Sequence, residues 1–366
     1  MLNLWNQKNE MIISNSISWN SCLDNQSEMN RKKIIYILFT LLLVIYNGCS
    51  QQDRKEELRL KISLVNAPSD IVTLGARFLS ERISEKSIGK ITPKVYHSGV
   101  LSGGKGSAEI ELCQQGTIEI HITTTAYLAN LVSKTSIFSL PFLFQDMDQV
   151  IGLAKGKGPA LNRINRELNA KNLHVIAWWP RGFRQLTNSK RPVRNIEDIR
   201  GLKFRVMTNQ LFVDNMNAMG AHPVPMDWGE VYNALQLNTI DGQENAEDVI
   251  YSSRLYEVQQ YMTIWDYSTD LEVVLVNFDW WNELEEDFRN IIQEVADASV
   301  DYQVGLLQKN TIELREKITQ ANMQIHYMES EDKLIFRNAV KPVWEKYAML
   351  FGPEFTKSFL EELKKY

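Results

Sequence analysis

The chain has 366 residues, of which 44% are hydrophobic, 10% aromatic and 23% charged, and its formal net charge is −5. This is an ordinary globular composition with ample material for a core, and the length suggests two domains of about 100–200 residues each. A mildly acidic chain lacks the basic surface that nucleic-acid binding favours, and its five histidines sit in no HExxH or CxxC pattern, so neither nucleic acid nor a metal is expected.

The first 48 residues read as an upstream extension and a signal peptide. "MNRKKIIYILFTLLLVIYNGCS" begins at Met29, with Arg31, Lys32 and Lys33 as a basic region and an apolar run from Ile34 to Tyr46. That run is shorter than the roughly 20 residues of a membrane-spanning helix and suits a secretory signal. Residues 1–28 are polar and aperiodic, which points to Met29 as the start, because a signal's basic region belongs at the N-terminus. Gly48-Cys49 at its end resembles a bacterial lipoprotein signal, implying lipidation of Cys49 and a polar tether over residues 49–57. Tyr46 departs from the aliphatic residue usual in that pattern, and a plain secretory signal is the alternative. If Cys49 is acylated, Cys113 has no partner in the mature chain, and stability must come from the core and not from a disulfide.

The body alternates strands and helices. "LRLKISLV" (58–65) alternates apolar and polar residues as a strand does, and residues 70–86 carry Ile71, Leu74, Phe78, Leu79 and Ile83 at helical spacing. "ITPKVYH" and "TIEIHIT" read as strands flanking a helix over 105–116, on which Cys113 is a buried apolar residue and Gly116 a C-cap. "NLHVIAWW", "GLKFRVM" and "LEVVLVN" are further strands, and "DQVIGLAKG", "NQLFVDNMNAMG" and "MDWGEVYNALQ" are helical by period. Residues 282–320 form one very long helix, or two with a break near Gly305, and 331–365 are helical. Such alternation indicates an α/β fold with largely parallel pairing.

Catalytic signatures are absent or incomplete. "GVLSGGKG" (99–106) fits GxxxxGK, but Gly106 stands where a nucleotide-binding loop needs Ser or Thr for magnesium, so its glycines are read as shaping a strand-to-helix turn. No GxSxG elbow occurs. One residue stands out: Arg205 lies in "GLKFRV" between Phe204 and Val206, where the chain enters a core.

The blocks "GFRQLTNSKRPVRNIEDIRGLKFRV" and "MGAHPVPMDWGEVYNALQLNTIDGQENAEDVI", with "IFSLPFLF" (137–144), resemble the solute-binding subunits of tripartite ATP-independent periplasmic (TRAP) transporters, the DctP type, over about residues 58–330. The resemblance implies a periplasmic binding protein-like fold of two α/β lobes. Lobe I would hold residues 58–181 and 271–310, and lobe II residues 182–270 and 311–366 with the C-terminal helices. It implies a periplasmic or cell-surface protein without cofactor that closes on a small organic anion and delivers it to a TRAP permease. It places a ligand carboxylate on Arg205, whose planar guanidinium can form a two-bond fork. It gives Arg184 a second ligand-facing role, with a structural ion pair as the alternative. Asn245 would offer an amide, and Trp228 a ring packed on the ligand. Asn66, Thr124 and Tyr127 match less constant contact positions. Ala246 stands where the family usually has Pro, and His222 is read as a loop residue. Two other readings remain: a lipoprotein that presents its bound ligand to a signalling receptor, and an extracytoplasmic enzyme, which would need a nucleophile–base pair in the cleft.

Overall fold

The computed structural model describes residues 57–366, without the side chains of residues 310–312. The expected signal segment, Cys49 and nearly all of the tether lie outside the described residues.

Strands β1 (Leu58–Ser63), β2 (Ile91–Tyr96), β3 (Ile120–Thr124), β4 (Leu173–Pro180), β5 (Arg184–Asn188), β6 (Lys203–Val206), β7 (His222–Pro225), β8 (Gly242–Ala246), β9 (Tyr261–Ser268), β10 (Leu271–Asn277) and β11 (Gln324–Tyr327) form two sheets. The first has the order β2-β1-β3-β10-β4, and the second β11-β9-β5-β8-β6-β7. Between them run helices α1 (Ile71–Lys86), α2 (Gly106–Gln114), α3 (Thr125–Leu128), α4 (Met147–Gly156), α5 (Pro159–Asn169), α6 (Gln210–Ala218), α7 (Trp228–Gln236), α8 (Glu247–Ser252) and α9 (Glu286–Gln320). Three more, α10 (Ser330–Ala339), α11 (Lys341–Phe351) and α12 (Pro353–Leu363), complete the chain. Each sheet is the centre of one α/β lobe.

Local chemistry explains the first helix. Asp70 caps α1, its Oδ1 accepting from Val72 N at 2.8 Å, and Ile71, Val72, Ala76, Leu79 and Ile83 are buried on the sheet. β10, "LEVVLVN", is buried along its whole length, as expected of an apolar strand covered on both faces.

Pairing is less parallel than the alternation of elements suggests. β10 runs antiparallel to β3 and β4, and β5 runs antiparallel to β8 and β9. The chain passes between sheets at residues 181–183 and 269–270. A strand arriving from the other sheet enters from the cleft end, opposite to strands returned by crossover helices. The helix of residues 286–320 is single and continuous through Gly305; it packs on α1 and β4 with one part and on α8 with another, so it joins both lobes. The C-terminal helices, expected with the second lobe, brace both: α11 packs on α6, whereas α12 lies on α5 of the first lobe, burying Phe355, Phe359 and Leu363. His222 begins edge strand β7 beside Lys203, exposed to solvent, and is not in a loop. Two prolines in β7 are tolerated because one of its edges needs no donors.

Candidate anion-binding cleft

The cleft between the sheets has a volume of about 530 Å³ including its open mouth. The first sheet contributes Asn66 beyond β1, Thr124 at the end of β3 and Tyr127 on α3. The second contributes Arg184, Arg205, Trp228 and Asn245. All seven residues singled out in the sequence therefore line one cavity. Sequence reasoning missed Arg181, Asp270 and Glu272, which also line it. Glu272 carries a signal like that of Arg205, a charge flanked by apolar residues in a strand.

The three cleft arginines differ in what they hold. Arg181 is ion-paired with Asp70 at 3.0 Å, Asp248 at 3.0 Å and Glu272 at 3.2 Å. Arg184 has every guanidinium nitrogen bonded: Nε donates to Glu244 Oε2, Nη2 to the Glu244 carbonyl at 2.9 Å and to Glu244 Oε1 at 3.0 Å, and Nη1 to Asp270 Oδ2 at 3.1 Å. Burial works against both charges, but these carboxylates hold both pKa values above the usual arginine range.

Arg205 is 1% exposed and, among the described residues, forms no ion pair. Its Nε donates to the Met226 carbonyl at 3.0 Å, while buried Nη2 has no hydrogen-bond partner among the described residues. The Trp228 ring centroid lies 5.4 Å from its Cζ, a cation–π contact. Burial pulls its pKa below the usual value; Tyr127 opposes that, Arg184 reinforces it and Glu244 opposes it. A dry guanidinium with an unused donor and no paired carboxylate has the chemistry to accept a counter-charge.

Other groups are set around it. Tyr127 is held against the start of α2, where a Cβ on Gly106 would stand 2.7 Å from its ring. Burial raises the Tyr127 pKa, keeping the phenol neutral. Asn245 Oδ1 accepts from Ala246 N at 3.2 Å. Ala246 has φ −64°, the value a proline ring would impose, so the alanine follows the proline geometry. Asn66 Nδ2 donates to Asp70 Oδ2 at 3.1 Å, and Thr124 Oγ1 accepts from Ala126 N at 3.4 Å.

The glycine-rich turn supplies a contact between lobes. Gly99, Gly103 and Gly104 all have positive φ, and a Cβ on Gly104 would lie 2.8 Å from Gly229 Cα in α7 of the second lobe. Gly229 N also donates to the Gly104 carbonyl at 3.4 Å. Two backbones meet here with no side chain between them.

A serine, a histidine and a glutamate come together outside the cleft lining, all fully buried. Ser63 Oγ lies 3.0 Å, and Glu109 Oε2 3.4 Å, from the same His121 nitrogen, Nδ1. A nucleophile–base–acid relay needs the serine and the acid on opposite ring nitrogens, so this is a packed polar cluster. Burial raises the Glu109 pKa to about 7 and lowers that of His121 to about 4. Because the folded-state pKa of Glu109 exceeds its unfolded value, the protonated form adds stability that is complete below about pH 4.5 and is lost as pH rises through 7. Glu109→Gln removes that loss. Its melting temperature relative to wild type should therefore rise by a few °C between pH 5 and pH 8 in scanning calorimetry, at roughly 2–4 °C per kcal/mol. A difference that stays constant with pH would disprove the account.

Comparison with known proteins agrees with the geometry. The model of the bacterial extracellular solute-binding proteins, family 7 (DctP), matches residues 62–349. The chain belongs to this family. A solute-binding protein of Chromohalobacter salexigens is 32% identical over 268 residues, covering 73% of this chain and 78% of the relative. The C4-dicarboxylate-binding protein DctB of Bacillus subtilis is 27% identical over 320 residues, 87% of this chain and 90% of the relative. The solved sugar acid binding protein DctPAm of Advenella mimigardefordensis, in complex with galactonate, superposes with a TM-score of 0.81 at 28% identity, covering 85% of this chain and 99% of its own. As a family 7 solute-binding protein, the chain has the two-lobed α/β architecture, with Arg205 in its cleft.

Proposed function

We propose that this protein is an extracytoplasmic receptor that captures a small organic acid between its lobes, with the carboxylate on Arg205, and delivers it to a TRAP-type permease. The observation that carries this reading is the contrast among the three cleft arginines: Arg181 and Arg184 are neutralised by carboxylates of the protein, and Arg205 is left for a carboxylate from outside. Trp228 covers the guanidinium, and Tyr127, Asn245, Asn66 and Thr124 shape the rest. Arg184 acts mainly by holding Glu244 and Asp270. We assign lobe I to residues 58–181 and 271–310, and lobe II to 182–270 and 311–366, with α12 bracing lobe I. Binding proceeds without chemistry.

Thermal-shift screening of an organic-acid library, followed by calorimetry and NMR of the recovered ligand, tests this. A cognate acid at 100 times its Kd should stabilise the fold by about 2.7 kcal/mol and be recovered unchanged. A library of carboxylates with no hit, or a ligand that is turned over, would sink the proposal.

Closure should depend on the two-glycine contact. In Gly229→Ala the new Cβ would sit 3.2 Å from Gly104 Cα and 3.3 Å from the Gly103 carbonyl, tighter than ordinary contact. Alanine favours a helix over glycine by up to about 1 kcal/mol, so the unliganded protein should melt at the same or a higher temperature. Its ligand affinity should nevertheless fall several-fold. Small-angle scattering should show the wild type contracting on binding, as hinge closure demands, and the variant contracting less. Equal contraction and equal affinity would rule out the contact as a closure stop.

The Gly48-Cys49 pattern supports a lipid anchor at Cys49. Mass spectrometry of the protein from its native membrane should find an acylated Cys49; an unmodified N-terminal peptide starting elsewhere would refute the anchor and leave the binding function intact.

A further inference from the structure

We propose that the cleft wall carrying Glu272 and Asn66 takes hydroxyl donors and turns away a second carboxylate, so that this protein selects hydroxylated monocarboxylates over dicarboxylates. The inference rests on the reading that Arg205 holds the ligand's carboxylate. It deepens that reading by specifying the other end of the ligand.

A diacid needs two counter-charges, and the described cleft offers one. Arg181 already faces Asp70, Asp248 and Glu272, and Arg184 faces Glu244 and Asp270. Two arginines thus meet five carboxyl groups before any ligand arrives, and of the three cleft arginines only Arg205 lies outside these pairs. The groups acting on Glu272 are Arg181, Asp70, Asp270 and Asp248, so acids outnumber the base at that wall. Its neighbours across the strands, Thr124 and Trp179, bring no cation. Burial raises the Glu272 pKa to about 7, a sign that one further negative charge there is already unfavourable.

Asn66 and Glu272 each leave an acceptor at this wall. Asn66 spends one amide N–H on Asp70, lines the cavity, and its side-chain carbonyl oxygen accepts no hydrogen bond from the described residues. Glu272 uses Oε1 on Arg181 and lines the cavity. A ligand hydroxyl can donate to either of them. A carboxylate brings only acceptors and meets like charge, and groups left unpaired or opposed in a closed site discriminate strongly.

The test is calorimetry on the full chain with three matched pairs: succinamate and succinate, gluconate and glucarate, galactonate and galactarate. Each pair keeps one carboxylate and differs in whether the far end carries a second. In every pair with measurable binding, the wild type should prefer the monoanion by about tenfold or more. Glu272→Gln keeps the shape and removes the charge, so the preference should shrink at least about fivefold, both ligands being read on the same protein. If that variant does not fold, the wild-type ratios decide alone. A dicarboxylate bound as tightly as its monoanion, or an unchanged ratio in Glu272→Gln, overturns the proposal. Binding by no member of any pair, while other carboxylates bind in an Arg205-dependent manner, also overturns it. Binding of no carboxylate at all is the failure of the Arg205 reading itself, and removes this proposal with it.

Discussion

Arg205→Ala should bind its organic acid two to four decades more weakly than the wild type in calorimetry. When the lobes shut, the carboxylate loses its water and must find fixed donors. Arg205 offers a guanidinium already desolvated, steadied by the Met226 carbonyl and the Trp228 ring, with Nη2 unspent. Breaking a buried pair by removing one partner costs roughly 3–5 kcal/mol, and about 1.4 kcal/mol is one decade of affinity. Arg205→Lys keeps the charge but loses the planar fork, so it should recover only part of the loss. Stability should move the other way. A buried cation without a counter-charge is a burden on the unliganded fold, so Arg205→Met should melt at or above the wild-type temperature. An Arg205→Ala protein with normal affinity, or an Arg205→Met protein that unfolds, would falsify the assignment.

Arg184→Met should instead damage the fold. Its guanidinium is the counter-charge of Glu244 and Asp270, both almost wholly buried. Removing it leaves two carboxyl groups facing each other in a dry interior. A cost of about 3–5 kcal/mol for orphaning buried ionic partners corresponds to a melting point roughly 10 °C lower, at about 2–4 °C per kcal/mol. Calorimetry of Arg184→Met beside Arg205→Met reads the contrast directly: two arginines lining one cavity, one serving the fold and the other the ligand. Equal melting temperatures for the two variants would show that this division of labour is wrong.

The elements that were legible in the sequence are those that local chemistry and burial decide. α1 announces itself by its apolar spacing and its Asp70 cap, β10 by an unbroken apolar run, and the 99–104 turn by its glycines. Strands β5 and β8 escaped reading by period, because "RQLTN" and "GQENA" are polar sequences in fully buried strands. Several of their side chains find partners on other elements, as when Gln243 Nε2 donates to Thr187 Oγ1 at 3.0 Å. A polar residue does not declare in advance that its partner will be inside.

By itself the sequence determined the α/β class, the presence of a buried arginine at position 205, and, through the blocks shared with a known family, the likeness to a solute-binding protein. Tertiary structure decided which arginine is free. Arg181, Arg184 and Arg205 are chemically identical, and nothing local separates them. Their partners Asp70, Glu244, Asp248, Asp270 and Glu272 lie far along the chain and come to the cleft only when the strands cross between sheets. The charge an arginine has left to offer depends on its neighbours in space, and those are set by the fold.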